Sequence, residues 1–514
     1  MLRGQGNSWI VRPFRAALRC FAAALAALVA ILCAAAAEPL PAPCAIPLPA
    51  AAGSPDHTDG GSYAGMQPGA LANAMGVASC GTVSCHGGPK AGNHDVQSFA
   101  FTIWMNDDPH SRAYEVLHEP RSKRMARLLG LGEAHRAREC LSCHSMQHAS
   151  RAPLPTEVLA DGVGCGSCHG DSTRWQQIHY LPEWKRLSAA EREALGYRDL
   201  GSVTARVNNC IPCHVGDASQ QVNHDLIAAG HPRLSFEFAA YQRLWPRHWA
   251  PSGKVESQPD FTERSWALGQ AATLEAVAKL LEVRTERAAA DLAAERPHRW
   301  PEFAEFDCYA CHKTLGPGSY AAHAGRFQNP FPGQPSWQPW YVSAGRLLDA
   351  AAATATAPGT RSVGASVVDI RRALEPDWSV ADKERLDRVL LEARGLARAA
   401  RQASQELEAR DRIVLDVSHD RLDALVAHAP PEWRFWDAAV QTLLVMEAAG
   451  GGPARVGVWR YDQRQAATAE TRRALEELRD SLRFPPGADS PQGFSPVRFN
   501  RERAAVPLPA AVHP

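Results

Sequence analysis

The chain carries no surplus of either charge: 55 Lys and Arg stand against 55 Asp and Glu. That balance provides no basic field for nucleic acid or for an anionic membrane surface, so no nucleic-acid partner is expected. Aromatic residues are scarce at 7%, although 14 of them are Trp. Long apolar runs are nearly absent too. The one that stands out is residues 21–37, which follows Arg3, Arg12, Arg15 and Arg19 and ends in Ala34-Ala35-Ala36-Ala37. A bilayer span needs about 20 apolar residues. This run is shorter and closes on small residues, the pattern of a cleaved export signal. An uncleaved anchor is the alternative. Cys33 and Cys44 follow Leu32 and Pro43, where a lipoprotein signal wants a small residue. The mature protein is therefore expected in the periplasm or otherwise outside the cytoplasm, membrane-anchored if the segment is retained.

At 514 residues the chain exceeds one ordinary core, and two or three domains are expected. Residues 1–37 read as the signal and 38–70, rich in Pro, Ala and Gly, as a flexible lead-in. From 71 to 330 the chain is punctuated by Cys, His, Gly and Pro, with one long helix over about 263–290, where Trp266, Ala267, Ala271, Leu274, Ala278 and Leu281 recur at helical spacing. Residues 331–378 read as a Pro/Trp connector containing Trp337-Gln338-Pro339-Trp340. A helical region over 379–484 follows. Ser379-Val380-Ala381-Asp382 resembles a capping box, and Leu386, Val389, Leu390, Ala393, Leu396, Ala397 and Ala400 form one apolar stripe. Residues 433–449 and 466–482 are further helix candidates, and 485–514 is a Pro-rich tail. These C-terminal stripes read as core packing and carry no visible chemistry.

The chemistry lies in repeated cysteines. Cys140-Leu141-Ser142-Cys143-His144, Cys165-Gly166-Ser167-Cys168-His169, Cys210-Ile211-Pro212-Cys213-His214 and Cys308-Tyr309-Ala310-Cys311-His312 share one spacing, and Cys80-Gly81-Thr82-Val83-Ser84-Cys85-His86 is a wider version. Two thiols at that spacing reach the two vinyl groups of one porphyrin, and the next residue sets its imidazole over the iron. A zinc site would not need His after every second Cys, and neither would a disulfide framework. The expected cofactors are therefore five covalently bound haem c groups. Ten of the 13 cysteines would serve them, Cys20 and Cys33 lie in the signal, and Cys44 is left without a role. Export agrees with covalent haem attachment. The expected fold is mainly α, with a loop-rich multihaem domain that uses haems as its core and a C-terminal helical region behind it. The apo form of that domain is expected to fold poorly.

Fifteen histidines lie outside the motifs. His110, His179, His224, His231 and His135 are the candidates for second axial ligands. His110 lies in Trp104-Met105-Asn106-Asp107-Asp108-Pro109-His110-Ser111-Arg112-Ala113, and His179 ends Trp175-Gln176-Gln177-Ile178-His179. His224 and His231 bracket six residues that could form about two helical turns, separating the rings by roughly 10 Å. His135 stands five residues before Cys140. His94 is a weaker candidate. His118, His148, His248 and His298 read as surface or supporting groups, and His57, His323, His419, His428 and His513 as unconnected.

Trp104, His110 and Ala113, placed after the first haem motif, resemble the pattern of the cytochrome c-554 type, and the likeness spans about residues 75–330. It implies a mostly helical fold, closely packed haems, largely bis-His ligation and electron transfer to redox partner proteins. The C-terminal helical region and the Cys80 motif depart from that family. Two other readings stay open. One is a multihaem oxidoreductase of small nitrogen or sulfur compounds with one open iron. The Lys-for-His motif of ammonia-forming nitrite reductases, which would favour it, is missing. The other is a docking subunit held against a membrane redox complex.

Overall fold

A computed structural model describes residues 75–89, 96–146, 153–249, 255–308, 312, 335–352, 362–374, 379–419, 422, 436–450, 468–484, 491 and 494–508. Residues 1–37, read above as an export signal, the 38–70 stretch, Cys44, His94, His148 and Cys311 lie outside the described residues. The described architecture is mainly helical. Its β structure is two isolated antiparallel bridges, Gly170 with Tyr197 and Phe306 with Trp337.

Residues 75–200 form short helices and single turns. Pro109, Pro120 and Pro182 open helical segments, because proline fixes φ and lacks a donor that a first turn would waste. Gly130, Gly162 and Gly170 break the path with positive φ. Ala189–Ala194 starts at a full capping box, Ser188 with Glu191. Among the described residues before 200, two small apolar clusters form. One gathers Tyr114, Leu117, Ala126, Leu141, Met146 and Val158; the other gathers Val96, Phe99 and Ile103.

The rest shares one core. A continuous apolar cluster runs from Val203 through the long helix Phe261–Ala293 to Val506. Over its first 21 residues that helix is buried on nearly every side, with Trp266 and Leu274 wholly buried and Arg264, Gln270 and Thr273 also inside, so other elements must surround it. It packs on Lys383–Glu408, Val203–His214, Phe238–Leu244 and Trp436–Gly450. The backbone of Gly269 lies so close to Phe238 that a Cβ would stand 2.7 Å from the Phe238 Cβ. Burial of one such large side chain is worth about 1.5–3 kcal/mol, so this single helix carries much of the packing energy.

Several expectations change here. Lys383–Glu408 is capped by Asp382, whose carboxylate accepts from the Arg385 N–H at 2.9 Å, and not by a box opening at Ser379. Within 331–378, Pro339–Val342, Gly345–Ala352 and Val363–Leu374 are helices, and Trp337 and Trp340 are buried. The Pro-rich tail includes the helix Pro496–Ala504, with Phe499 and Val506 in the core. Ion pairs on buried carboxylates tie residues 233–243 to the C-terminal helices: Arg233 with Asp437, and Glu447 with both Arg243 and Arg479. The Arg264 guanidinium pairs with Asp260 and donates to the carbonyls of Leu407, Arg410 and Asp411, around and just past the C-terminal end of Lys383–Glu408.

Candidate functional site

Three of the cysteine motifs form the last turn of a helix. Arg138–His144, Cys165–His169 and Val203–His214 each end on the motif histidine. Cys165–His169 ends at Gly170, φ 80°, where a Cβ would stand 2.1 Å from the Gly196 carbonyl oxygen. The wider motif is a closed loop instead. Cys85 N donates to Thr82 O and His86 N to Cys80 O, while Val83, inside the lengthened loop, projects outward, 76% exposed. A Cβ on Gly81 would meet the Phe101 ring at 2.9 Å, so glycine is required there. At the last motif Cys308 and His312 are described, and His312 N donates to Cys308 O at 2.8 Å.

Each motif histidine has one other histidine across from it at nearly the same distance. Ring centroids are 6.1 Å apart for His86 and His179, 6.4 Å for His144 and His231, and 6.3 Å for His169 and His248. They are 6.1 Å apart for His214 and His110 and 6.2 Å for His312 and His224. An imidazole nitrogen binds a first-row metal at about 2.0 Å, so two rings on opposite sides of one iron should have centroids about 6.3 Å apart. The donor sets therefore fit five irons, each between two imidazoles.

The Nδ1 hydrogen bonds orient these rings. His86 Nδ1 donates to Gln97 O (2.6 Å), His144 to Ala113 O (2.8 Å), His179 to Gln176 O (2.6 Å) and His231 to Pro232 O (2.7 Å). A ring that donates from Nδ1 keeps Nε2 as the free lone pair. His110 Nδ1 donates to the Asp108 carboxylate at 2.9 Å. Burial pulls His169 and His214 down to about 4, which leaves both neutral, the form that coordinates metal.

Four of the five candidates named from local context, His110, His179, His224 and His231, face a motif histidine. His135 does not. It stacks on His118 at 4.5 Å, and its carbonyl accepts from the Tyr114 hydroxyl, so its short turn is held away from every motif ring. His248 stands in that place, opposite His169. Its signal was available in Trp245-Pro246-Arg247-His248-Trp249, where two indoles flank the ring at 6.0 and 5.1 Å. Trp175 flanks His179 in the same way at 5.5 Å. His224 opens the helix His224–Ala229, capped by Asn223. Gly230 with φ 125° then turns the chain so that His231 leaves in another direction, in place of a second helical turn.

The five segments also touch one another. The Cys80 and Cys165 side chains lie beside each other. Arg198 donates to Ser167 O and pairs with Asn209, beside Cys210. The Cys143 and Cys213 side chains likewise lie beside each other. His231 and His224, at the two ends of one turn, face His144 and His312. Adjacency therefore runs 80–86, 165–169, 210–214, 140–144, 308–312.

Residues 79–170 match the family model described as cytochrome c554 and c-prime. This stretch is of the cytochrome c-554 type. The chain is accordingly a c-type cytochrome of electron transfer, with covalently bound haem c. No curated protein and no solved structure matches the chain. The c-554-type stretch holds the motifs at Cys80, Cys140 and Cys165, along with His110 and the His118–His135 stack. The motifs at Cys210 and Cys308 lie beyond it.

Proposed function

We propose that the chain is an exported pentahaem electron carrier. Its haems are attached at Cys80 and Cys85, Cys140 and Cys143, Cys165 and Cys168, Cys210 and Cys213, and Cys308 and Cys311. The axial pairs are His86/His179, His144/His231, His169/His248, His214/His110 and His312/His224. The observation that carries this reading is the near-constant 6.1–6.4 Å spacing of the five pairs. Bound haem c supplies a one-electron change at iron. The protein's part is to hold both imidazoles in place through the Nδ1 hydrogen bonds and to keep the five segments adjacent. With both axial positions filled by protein, no site is left for a substrate. That favours a carrier over a reductase, since every described motif histidine has a facing histidine. The partners are redox proteins, and a membrane electron-transfer complex is among the classes that fit. Cys85, the most exposed of the described motif cysteines, places the first haem where a partner could reach it.

Haem that survives acid–acetone extraction should amount to five per chain by pyridine haemochrome. Four would remove the Cys80–Cys85 site. The reduced protein should bind little carbon monoxide at neutral pH. Stoichiometric binding at one haem, together with steady turnover of nitrite or hydroxylamine, would replace the carrier by an enzyme.

A further inference from the structure

His110 differs from the other axial histidines in what it leans on. Where the structure gives His86, His144, His179 and His231 a partner at Nδ1, that partner is a neutral backbone carbonyl. His110 Nδ1 donates instead to Asp108 Oδ1 at 2.9 Å. Asp108 is 2% exposed and cannot swing away. Its Oδ1 also accepts from the His110 backbone N–H at 3.0 Å, capping the turn Pro109–Arg112, and its Oδ2 accepts from Trp245 Nε1 at 2.9 Å. Three donors and no acceptor surround the group, the environment of an ionised carboxylate. The Trp245 ring lies 6.5 Å from the His110 ring and 6.0 Å from that of His248.

We infer that Asp108, locked by Trp245, is a positioning residue that makes the Cys210–Cys213 haem the lowest-potential haem of its segment chain. The inference rests on His110 being the second ligand of that haem. A carboxylate on the far nitrogen of a ligating imidazole raises the ligand's basicity. Charge donated to the iron stabilises the oxidised state, as does a fixed negative charge held in a low-dielectric interior. A neutral carbonyl does less of both. The haem that sits in the middle of the adjacency order would then be the step its neighbours must surmount.

The test is a spectroelectrochemical titration of the holoprotein. His110→Met identifies the haem, because a Met ligand raises the potential. Asp108→Asn should move that same midpoint upward, by about 59 mV or more if the one-electron equilibrium changes tenfold, and leave the other four in place. Trp245→Phe removes a donor from the carboxylate and should move the same midpoint downward, so the idea stays testable if Asp108→Asn folds poorly. No shift in either variant overturns the inference, as does an equal shift of all five midpoints. If His110→Met moves no midpoint, the ligand assignment itself fails and the inference falls with it.

Discussion

At the scale of single residues, two histidines separate local context from tertiary placement. His248→Ala should turn one of five low-spin haems high-spin without releasing it, because its thioethers remain. His135→Ala should leave all five low-spin. Electron paramagnetic resonance of the oxidised protein reads both, and the opposite pattern would return His135 to the ligand set. The cysteines and the histidines next to them were legible in the sequence, since haem attachment is a matter of adjacent residues. The ring opposite each of them was only partly legible. His110 and His179 stand in short stretches with a nearby Trp, and Trp245 and Trp249 flank His248 likewise, but which motif each ring meets, His169 for His248, is set by long-range packing.

At the scale of elements, the long helix Phe261–Ala293 is the most exacting. Gly269→Val should overpack against Phe238 and cost about 1–3 kcal/mol in thermal or denaturant unfolding. An unchanged midpoint would mean that the two backbones can separate freely. Arg264→Met leaves buried Asp260 without its cation and the end of Lys383–Glu408 without a donor, a loss of about 3–5 kcal/mol. In the first turn of the long helix, burial pushes the Glu263 carboxyl up to about 7 from an ordinary 4.5. The folded state therefore prefers the protonated acid. Its contribution is fully present below about 4.5 and is lost as pH rises through about 7. Glu263→Gln should flatten the stability profile between those values, measured by thermal melts across the pH series. The long helix was legible from its periodic apolar residues. The cap at Asp382 was not, because two acceptors three residues apart both suit an N-cap and packing of the helix selects between them.

At the scale of the molecule, the two halves are held by different means. Residues 203–506 own a continuous apolar core, whereas residues 75–200 have two small clusters. A chain made without haem attachment should therefore be cut first within 75–200 under limited proteolysis, while the helices of 261–293 and 383–408 stay protected. Uniform digestion would show instead that the C-terminal helices also depend on the haem half. The ion pairs Arg233–Asp437 and Arg243–Glu447–Arg479 tie residues 233–243 to the C-terminal helices, so removing those helices should also weaken the stretch that carries His231 and Cys308.

The sequence by itself determined the class of this protein: covalent c-type cytochrome chemistry depends on cysteine and histidine spacing within a few residues, and helical apolar periodicity is equally local. Tertiary structure alone decided which histidine faces which motif, which segments lie side by side, and that the C-terminal helices share a core with residues 203–308. Each of those is a contact between residues far apart in the chain, set by how a helix buried on nearly every side is surrounded by other elements, and no spacing rule records it.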